Sequence, residues 1–471
     1  MKTRFSILFS TLTVFIFNSA IVHAEAPSSR AWLKPTVDAW QVKPLLNVGD
    51  SIGVKNYRMV GIPDGLGALD NGDGTLSIYM NHEIGRDQGK SRKHFGRGAF
   101  VSHWILDIDS LKITAGEDLI GQVKIWLPEM QKYVNAPAYS FNRLCSADLP
   151  PLSAIYDSAT GKGFNGRLFM NGEEDRDGGR AFAHVVTGEQ KGVSYELPYL
   201  GKFAWENAVA NPSARLKTVV MGMDDSPGGQ VYMYIGEKRS LGNPVEQAGL
   251  MGGNLYAVKI DGKRFGFANL GDVSAMSGYD LEKAGRQVNV ANFMRPEDGA
   301  WDLNNPSIFY FATTDKIDGT SQLFQLTFDD IDQPEKGGVI KVVLNARDIG
   351  AQMFDNITVA GDGKVLVEED PGDNPHMAAI WQFDPKTGKA ERVLSVAPEA
   401  FVDKNSPAFL TQDEENSGII EITDLVRKAP WFEASKRYFL GSLQVHAKSS
   451  DIELVEGGQL YLISGPDALS K

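Results

Sequence analysis

Pairs and triplets of carboxylate and amide side chains recur along this sequence. Hard cations such as Ca²⁺ bind about six to eight oxygen ligands, which Asp, Glu and Asn supply. Any single pair is better explained as the cap of a turn, but the whole set favours a metal site. Such dense like charges would repel one another without a cation. The groups are Asn81-His82-Glu83, Glu173-Glu174-Asp175, Glu206-Asn207, Asp224-Asp225, Glu297-Asp298 and Asp355-Asn356.

A single cysteine, Cys145, lies between the first and second of these groups. A lone cysteine cannot form an internal disulfide. Its thiolate is a soft ligand, which favours iron, zinc or copper over calcium. The residue is therefore either a metal ligand or a buried structural cysteine, and Cys145 alone does not separate the two interpretations. The sequence contains no Walker A loop and no H-E-x-x-H helix.

The elements that must position these residues read as strands. Short runs of β-branched and aromatic residues are bounded by turn signals along most of the chain. Long amphipathic helical windows are scarce, so the sequence predicts an all-β protein. The runs are TLSIYM at 75–80, FVSHWILDI at 100–108, RLFM at 167–170, LKTVVMGM at 216–223, QVYMYIG at 230–236, NLYAVKID at 254–261, SIFYFATT at 307–314, LFQLTF at 323–328, KVLVEE at 364–369, AIWQFD at 379–384 and QLYLIS at 459–464.

Five strand patterns end on carboxylates, at Glu83, Asp175, Asp225, Asp315 and Asp370. They roughly alternate with aromatic-x-apolar strands, and such a weak repeat is typical of radial β architectures. In a propeller one strand of each blade lines the central channel, so strands with acidic ends would bring carboxylates to one mouth. We therefore predict a β-propeller of about six blades, with loop and short-helix insertions. The alternative is a pair of β-sandwiches with acidic turns.

The first 24 residues have the features of a secretory signal peptide. Lys2 and Arg4 form a basic start, an apolar run follows, and small side chains stand at Val22 and Ala24. We predict cleavage after Ala24, with an uncleaved membrane anchor as the alternative, and a single propeller domain over residues 25–471. The mature protein is expected to be a soluble, secreted or periplasmic monomer without a membrane anchor.

The net charge of the chain limits its partners. It is −13 at pH 7, so the overall field of the protein opposes binding to nucleic acid. An acidic chain of this kind suits a protein that holds cations.

Several short motifs, in the same order along residues 60–450, resemble those of the PhoX-type alkaline phosphatases, which are large secreted propellers that use iron and calcium. Each motif is short, and their order along the chain carries the resemblance. The motifs are NHE at 81–83, Cys145 followed by a strand ending in Glu173-Glu174, GKFAWENAV with Glu206, GMDDSPGGQVYMYIGEK at 222–238, MRPEDGAWD at 294–302 and MFDNITVAGDGKVLV at 353–367.

The resemblance implies a phosphatase that hydrolyses small-molecule phosphate esters at a site holding Fe³⁺ and Ca²⁺. Arg295 would bind the substrate phosphate in a forked contact and act with Glu297 in catalysis. The alternative for Arg295 is an ion pair with Asp298. The implied metal ligands are Cys145, for iron, together with Glu83, Glu173 or Glu174, Glu206, Glu297, Asp355 and Asn356.

The sequence also departs from this family. Its leader has no adjacent arginines and resembles a Sec signal, and the segment RLCSADLPPLSAIYD around Cys145 lacks the family's glycine- and tryptophan-rich pattern. Two other classes stay open. One is a calcium-dependent propeller lactonase or esterase, which needs no cysteine ligand. The other is a non-catalytic secreted propeller that binds calcium as a structural clamp.

Overall fold

The computed structural model describes residues 30–213 and 215–467, so the predicted signal peptide lies outside the described residues. These residues form six antiparallel blades around a central channel, apart from one parallel strand pair in blade 2. The inner strands of neighbouring blades contact one another around the channel. The prediction of an all-β propeller is therefore confirmed.

The first three blades are described from the channel outwards. Blade 1 contains Pro63–Asp70, Thr75–His82, Phe100–Asp107 and Lys112–Asp118. Blade 2 contains Leu168–Gly172, Ala181–Val185, Val193–Glu196, Gln122–Leu127 and Lys132–Asn135, and residues 144–148 run along its inner edge. Blade 3 contains Trp205–Ala210, Lys217–Asp224, Val231–Glu237, Asn254–Asp261 and Arg264–Gly271.

The other three blades follow in the same order. Blade 4 contains Pro296–Trp301, Ile308–Thr313, Gln322–Phe328 and Gly338–Asn345. Blade 5 contains Phe354–Val359, Val365–Glu369, Ala379–Asp384, Lys389–Val396 and, at its outer edge, Leu33–Pro35. Blade 6 contains Glu414–Glu421, Lys436–Val445, Gly457–Pro466 and Gln41–Asn47.

Short elements connect the blades. The hairpins pair Ser51–Ile52 with Tyr57–Arg58, Tyr156–Asp157 with Lys162–Gly163, and Pro227–Gly229 with Phe293–Met294. The helices are Leu152–Ile155, Pro244–Gln247, Gly278–Gln287, Ala346–Ile349 and Pro398–Phe401, and the 3₁₀ turns are Pro128–Met130, Pro198–Leu200 and Pro334–Lys336. Within the described ranges, no helix is long and apolar enough to cross a membrane.

Both ends of the described chain meet in blade 6. Gln41–Asn47 is the outermost strand of that blade and pairs antiparallel with the last strand, Gly457–Pro466. This pairing closes the ring, because the sheet that ends the chain cannot be completed without a strand from its beginning. Blades 3 and 4 are also joined at their outer edges, where Arg264 and Phe265 pair with Val339 and Gly338.

Apolar side chains fill the spaces between the blades. Each neighbouring pair of blades shares a hydrophobic cluster. In the second strand of blade 3, for example, Val219 and Met221 face blade 4 whereas Val220 faces blade 2. Because such a strand is covered on both faces, its sequence is a continuous apolar run rather than an alternating one.

The sequence predicts that the strands with acidic ends line the channel, and this prediction is wrong. They are the second strand of blades 1 to 5, and another strand, or in blade 2 the segment 144–148, lies between each of them and the axis. The first three residues of each inner strand include an acidic residue, with proline or glycine in some of them, for instance Pro63-Asp64-Gly65, and these residue types are depleted in strands. That composition hid the inner strands from a pattern-based prediction.

Candidate metal centre

The pairing between the first and second strands of every blade is interrupted near the same end of the blade. Such an interruption is a β-bulge or a similar irregularity, which bends the strand and re-aims a side chain. Five of the six residues that open the interruptions are potential metal ligands. The five are Asp64, Cys145, Glu206, Glu297 and Asp355, and the sixth residue, in blade 6, is Ser417.

The second strands supply a further ring of residues beside these interruptions. In blades 1 to 5 the residue that follows the last paired position of the second strand is Glu83, Glu174, Asp225, Thr314 or Asp370, in blade order. In blade 6 the corresponding residue is Gln444, which follows Leu443 at the irregularity and itself pairs with Glu415. The neighbouring acids Asp175 and Asp315 lie one position further on, where Asp175 pairs with Arg86 and Asp315 accepts from the backbone of Thr320. Strand ends and bulges thus bring side chains from all six blades to one channel mouth.

Two compact groups of potential metal ligands lie at this mouth. Asp64, Glu83 and Cys145 form a first group, which we call the thiol group. Glu206, Glu297 and Asp355 form a second, which we call the carboxylate group. In each group one ligand atom per residue lies within 4.8 Å of the others, and all six residues are buried.

The thiol group has acceptor atoms that no donor satisfies. Gln444 donates through Nε2 to Asp64 Oδ2 at 3.1 Å and to Glu83 Oε2 at 2.9 Å. Cys145 Sγ lies 3.2 Å from Glu174 Oε2. Asp64 Oδ1 and Gln444 Oε1 are buried and have no hydrogen-bond partner in the described part of the chain. Buried acceptors are normally paired, so this donor set fits a cation.

The carboxylate group is held from below by serine and amide side chains. Ser146 donates to Glu206 through its hydroxyl, and Asn356 donates to that hydroxyl oxygen at 2.7 Å. Glu297 Oε1 is buried without a hydrogen-bond partner among the described residues, although Arg295 Nη2 is 3.2 Å away without the alignment of a hydrogen bond. This group also presents an acceptor suited to a cation.

Burial and mutual repulsion control protonation of the carboxylate group. Burial is the largest cause that raises the pKa of Glu206, Glu297 and Asp355 well above the usual range, and neighbouring carboxylates raise it further. Without a cation, burial and the neighbouring carboxylates therefore favour the protonated form of these groups. A bound cation would replace those protons and let the carboxylates ionise.

Burial and neighbouring carboxylates also control protonation of the thiol group, with the exception of Glu83. Burial, followed by the nearby carboxylates, raises the pKa of Asp64 and of the Cys145 thiol. Burial also acts to raise the pKa of Glu83, but Arg143 and Gln444 outweigh it, and the pKa is lowered. Glu83 is thus the member of this group that is ionised before any cation binds.

A layer of amides lies directly beneath the ligands. Asn81 donates to the carbonyl oxygen of Cys145 at 2.6 Å, and Asn171 donates to Asn81 Oδ1 at 2.8 Å. Asn207 donates to Asp298 Oδ1 at 2.7 Å. Such contacts behind the ligands fix the backbone that carries them.

The structure separates the predicted site residues into two sets. It brings Cys145, Glu83, Glu174, Glu206, Glu297 and Asp355 to the mouth. Glu173 is elsewhere, because it accepts hydrogen bonds from Tyr139 Oη at 2.9 Å and from Asn142 N at 3.1 Å. Asn356 donates to the hydroxyl oxygen of Ser146, which in turn contacts Glu206, so it lies beside the carboxylate group.

Arg295 lies beside the carboxylate group. Its Nε and Nη2 atoms donate to the two carboxylate oxygens of Asp225 at 2.7 and 2.9 Å. The ion pair with Asp298, considered from the sequence, does not form, because Asp298 accepts from Asn207 and from the backbone of Ile357. Neither proton donor on Arg295 Nη1 has a partner within the described ranges.

Sequence reasoning missed three residues at the mouth: Asp64, Arg143 and Gln444. Ile62-Pro63-Asp64 shares with Arg295-Pro296-Glu297 a proline followed by an acid, and this likeness could have identified Asp64. Arg143 pairs with Glu83 and Glu174. No comparable signal marks Gln444, which is identified only by strand register.

The sequence matches no protein-family model and no curated protein. Among solved structures, the chain is similar to Pseudomonas fluorescens PhoX in complex with vanadate, a transition state analogue. The TM-score is 0.64 at 11% identity, over 93% of this chain and 97% of that chain.

Two other structures are also similar over much of the chain. The NanB sialidase of Streptococcus pneumoniae gives a TM-score of 0.39 at 9% identity, over 90% of this chain and 70% of that chain. Sqt1 of Chaetomium thermophilum gives 0.35 at 10% identity, over 88% of each chain. The similarity to PhoX shows that the chain has a PhoX-like propeller fold.

Proposed function

We propose that this protein is a secreted, metal-dependent phosphatase that hydrolyses phosphate esters at the channel mouth. One observation carries the proposal. Two groups of buried ligands, one of them containing a thiol, meet beside an arginine whose Nη1 donors are unused in the described part of the chain. The likeness of the fold to PhoX with bound vanadate supports the same reaction class.

The two ligand groups suit different metals. The thiol group offers Cys145 Sγ with two carboxylates, and a soft ligand favours iron over calcium. The carboxylate group offers oxygen alone, which suits Ca²⁺. We infer Fe³⁺ at the first group and Ca²⁺ at the second. Bound cations would neutralise the charge of a phosphate ester and stabilise the charge that develops as its bond breaks.

Arg295 and Glu297 have complementary roles in this proposal. Asp225 holds the guanidinium of Arg295 through Nε and Nη2, which leaves Nη1 to bind a phosphate oxygen. Glu297 belongs to the carboxylate group and lies two residues further along the chain. The intervening Pro296 restricts the backbone between them, so the phosphate-binding and metal-binding positions are held in fixed relation.

The test is to measure metals and turnover on the same preparation. We expect purified mature protein to contain iron and calcium by elemental analysis and to hydrolyse a phosphomonoester, with activity lost on chelation. A phosphodiester and a lactone serve as comparison substrates. Turnover of the lactone alone with calcium would favour the lactonase class. No turnover of any substrate with both metals present would favour a non-catalytic propeller.

Export is a separate part of the proposal. We infer that residues 1–24 direct the chain out of the cytoplasm and that the metals are acquired there. N-terminal sequencing of protein recovered from the periplasm or the medium should begin at Glu25. A mature chain that still begins at Met1 would contradict this part and leave the reaction untouched.

A further inference from the structure

Arg143 occupies in blade 2 the position that Arg295 occupies in blade 4. Each arginine stands two residues before the ligand that opens the strand irregularity of its blade, Cys145 or Glu297. Both have a left-handed backbone, with φ of 41° at Arg143 and 55° at Arg295. Few residues other than glycine adopt this conformation, so the shared φ marks a structural repeat.

The backbone of this repeat does not require arginine. The same position in blade 1 is Ile62, with φ of 55°, and in blade 5 it is Met353, with φ of 44°. Since isoleucine and methionine are accommodated there, the two arginines need a reason in their side chains.

Both arginines use the same donor atoms. Arg143 donates through Nε to Glu83 Oε1 at 2.7 Å, and its Nη2 lies 2.7 Å from Glu83 and 2.5 Å from Glu174. Arg295 uses Nε and Nη2 in the same way toward Asp225 and Glu297. In each case the main partner, Glu83 or Asp225, directly follows the second strand of the preceding blade. Nη1 of each arginine is left without a partner among the described residues.

The unused donors of Arg143 are accessible. Its side chain is 49% exposed, compared with 29% for Arg295. The contacts of Arg143 with Glu83 and Glu174 use only its Nε and Nη2 atoms. Two N–H groups on a half-exposed guanidinium, beside two ligand groups, form an anion-binding position.

We propose that Arg143 is a second substrate-binding arginine, whose Nη1 contacts the phosphate group of the substrate together with Arg295. The two residues are two blades apart in a ring of six, about one third of a turn. This inference rests on the proposed function, because it concerns the same phosphate.

The experiment compares R143Q, R143K, R295Q and R86Q with the unmodified protein, after the metal content of each has been measured. Arg86 is the matched control, because it is 44% exposed on the same face but pairs with Asp175 and contacts neither ligand group. Readouts are KM and kcat for a phosphomonoester and the inhibition constant of inorganic phosphate.

At equal metal content, we expect R143Q to raise KM and the phosphate inhibition constant by about tenfold or more, with a smaller change in kcat. R143K should recover only part of the loss, since lysine lacks the fork. R295Q should act in the same direction, and R86Q should leave all three quantities unchanged. KM and phosphate inhibition that stay unchanged in R143Q, or that return to normal when its metals are restored, would overturn the inference.

Failure of the proposed function gives a different result. If the unmodified, metal-loaded protein does not turn over a phosphomonoester, titration calorimetry with inorganic phosphate still tests Arg143. Weaker phosphate binding by R143Q than by R86Q would support the binding role without catalysis. Absence of phosphate binding by the unmodified protein would overturn both proposals.

Discussion

Cys145 differs from every other ligand at the mouth in its chemistry. It lies with Asp64 and Glu83, while Glu206, Glu297 and Asp355 form a group of carboxylates alone. Burial raises the pKa of its thiol, and a bound cation would favour its ionisation to the metal-binding thiolate. The identity of the metal in the thiol group therefore depends on this side chain.

Replacing Cys145 by serine should remove iron and leave calcium. Serine retains the size of the side chain but is a hard and weakly acidic donor, so the thiol group would lose its preference for iron. We expect phosphate ester turnover to fall by roughly 100-fold or more. Elemental analysis and turnover on one preparation check this. Iron retained at the original stoichiometry would instead identify Cys145 as a buried structural residue.

Glu173 and Glu174 are adjacent in sequence but differ in surroundings. Glu174 lies beside Cys145 and Arg143, whereas Glu173 bonds to Tyr139 and Asn142. We expect E174Q to lower bound metal and turnover by about tenfold or more. E173Q is the matched control, with metal content unchanged and a stability loss of about 1 kcal/mol. The opposite ranking of the two variants would place the ligand at Glu173.

At the scale of elements, the strands that sequence patterns predict best are those between two neighbours. The apolar run 216–223 corresponds to Lys217–Asp224, and NLYAVKID at 254–261 to Asn254–Asp261. Both are second or outer strands with continuous or alternating apolar side chains, which the pattern detects directly. The inner strands were missed because their first residues are those of a turn.

Turn-like composition and unknown strand register also limited prediction of the site. Asp64 lies in Pro-Asp-Gly, a sequence typical of a turn, although the structure places it in a strand irregularity of blade 1. The choice between Glu173 and Glu174 depends on strand register, since adjacent strand residues point to opposite faces. Composition identified acids that converge, but register decides which of them face the mouth.

The irregularity in blade 1 depends on Gly65. A Cβ atom added there would lie 2.4 Å from the backbone nitrogen of Ala147 and 2.5 Å from the carbonyl carbon of Ser146. We therefore expect G65A to displace the segment that carries Cys145, to cost about 1–3 kcal/mol of stability and to lower the iron content.

The control for G65A is G266A. A Cβ atom at Gly266 meets no atom within 4 Å, so this variant should change stability by less than about 0.5 kcal/mol and leave both metals bound. Thermal unfolding and elemental analysis measure the two effects. A G65A protein with unchanged iron content would contradict the role assigned to this irregularity.

At the scale of the whole molecule, each ligand group spans more than one blade. The thiol group joins blades 1 and 2, and the carboxylate group joins blades 3, 4 and 5. Cations at these positions would therefore add to the apolar clusters, the hydrogen bonds and the outer-edge strand pairing that already connect the blades. The strand Gln41–Asn47 closes the ring in blade 6, so metal binding and strand closure stabilise different parts of the same ring.

The buried acids at the mouth should make the stability of the metal-free protein depend on bound protons, whereas bound cations would replace those protons. Burial is the largest cause that raises the pKa of Glu174 to about 8 and the pKa values of Asp298 and Asp370 to about 7. Between about pH 4 and about pH 8, the metal-free folded protein thus holds protons that the unfolded chain has released. Its free energy of unfolding should fall as pH rises through this window.

Bound cations replace the protons, so the metal-loaded protein should lose less stability. Thermal unfolding at several pH values, with and without chelation, measures the difference, which should increase with pH and be smaller in E174Q. A difference that stays constant across the window would mean that the buried acids and the metals act independently.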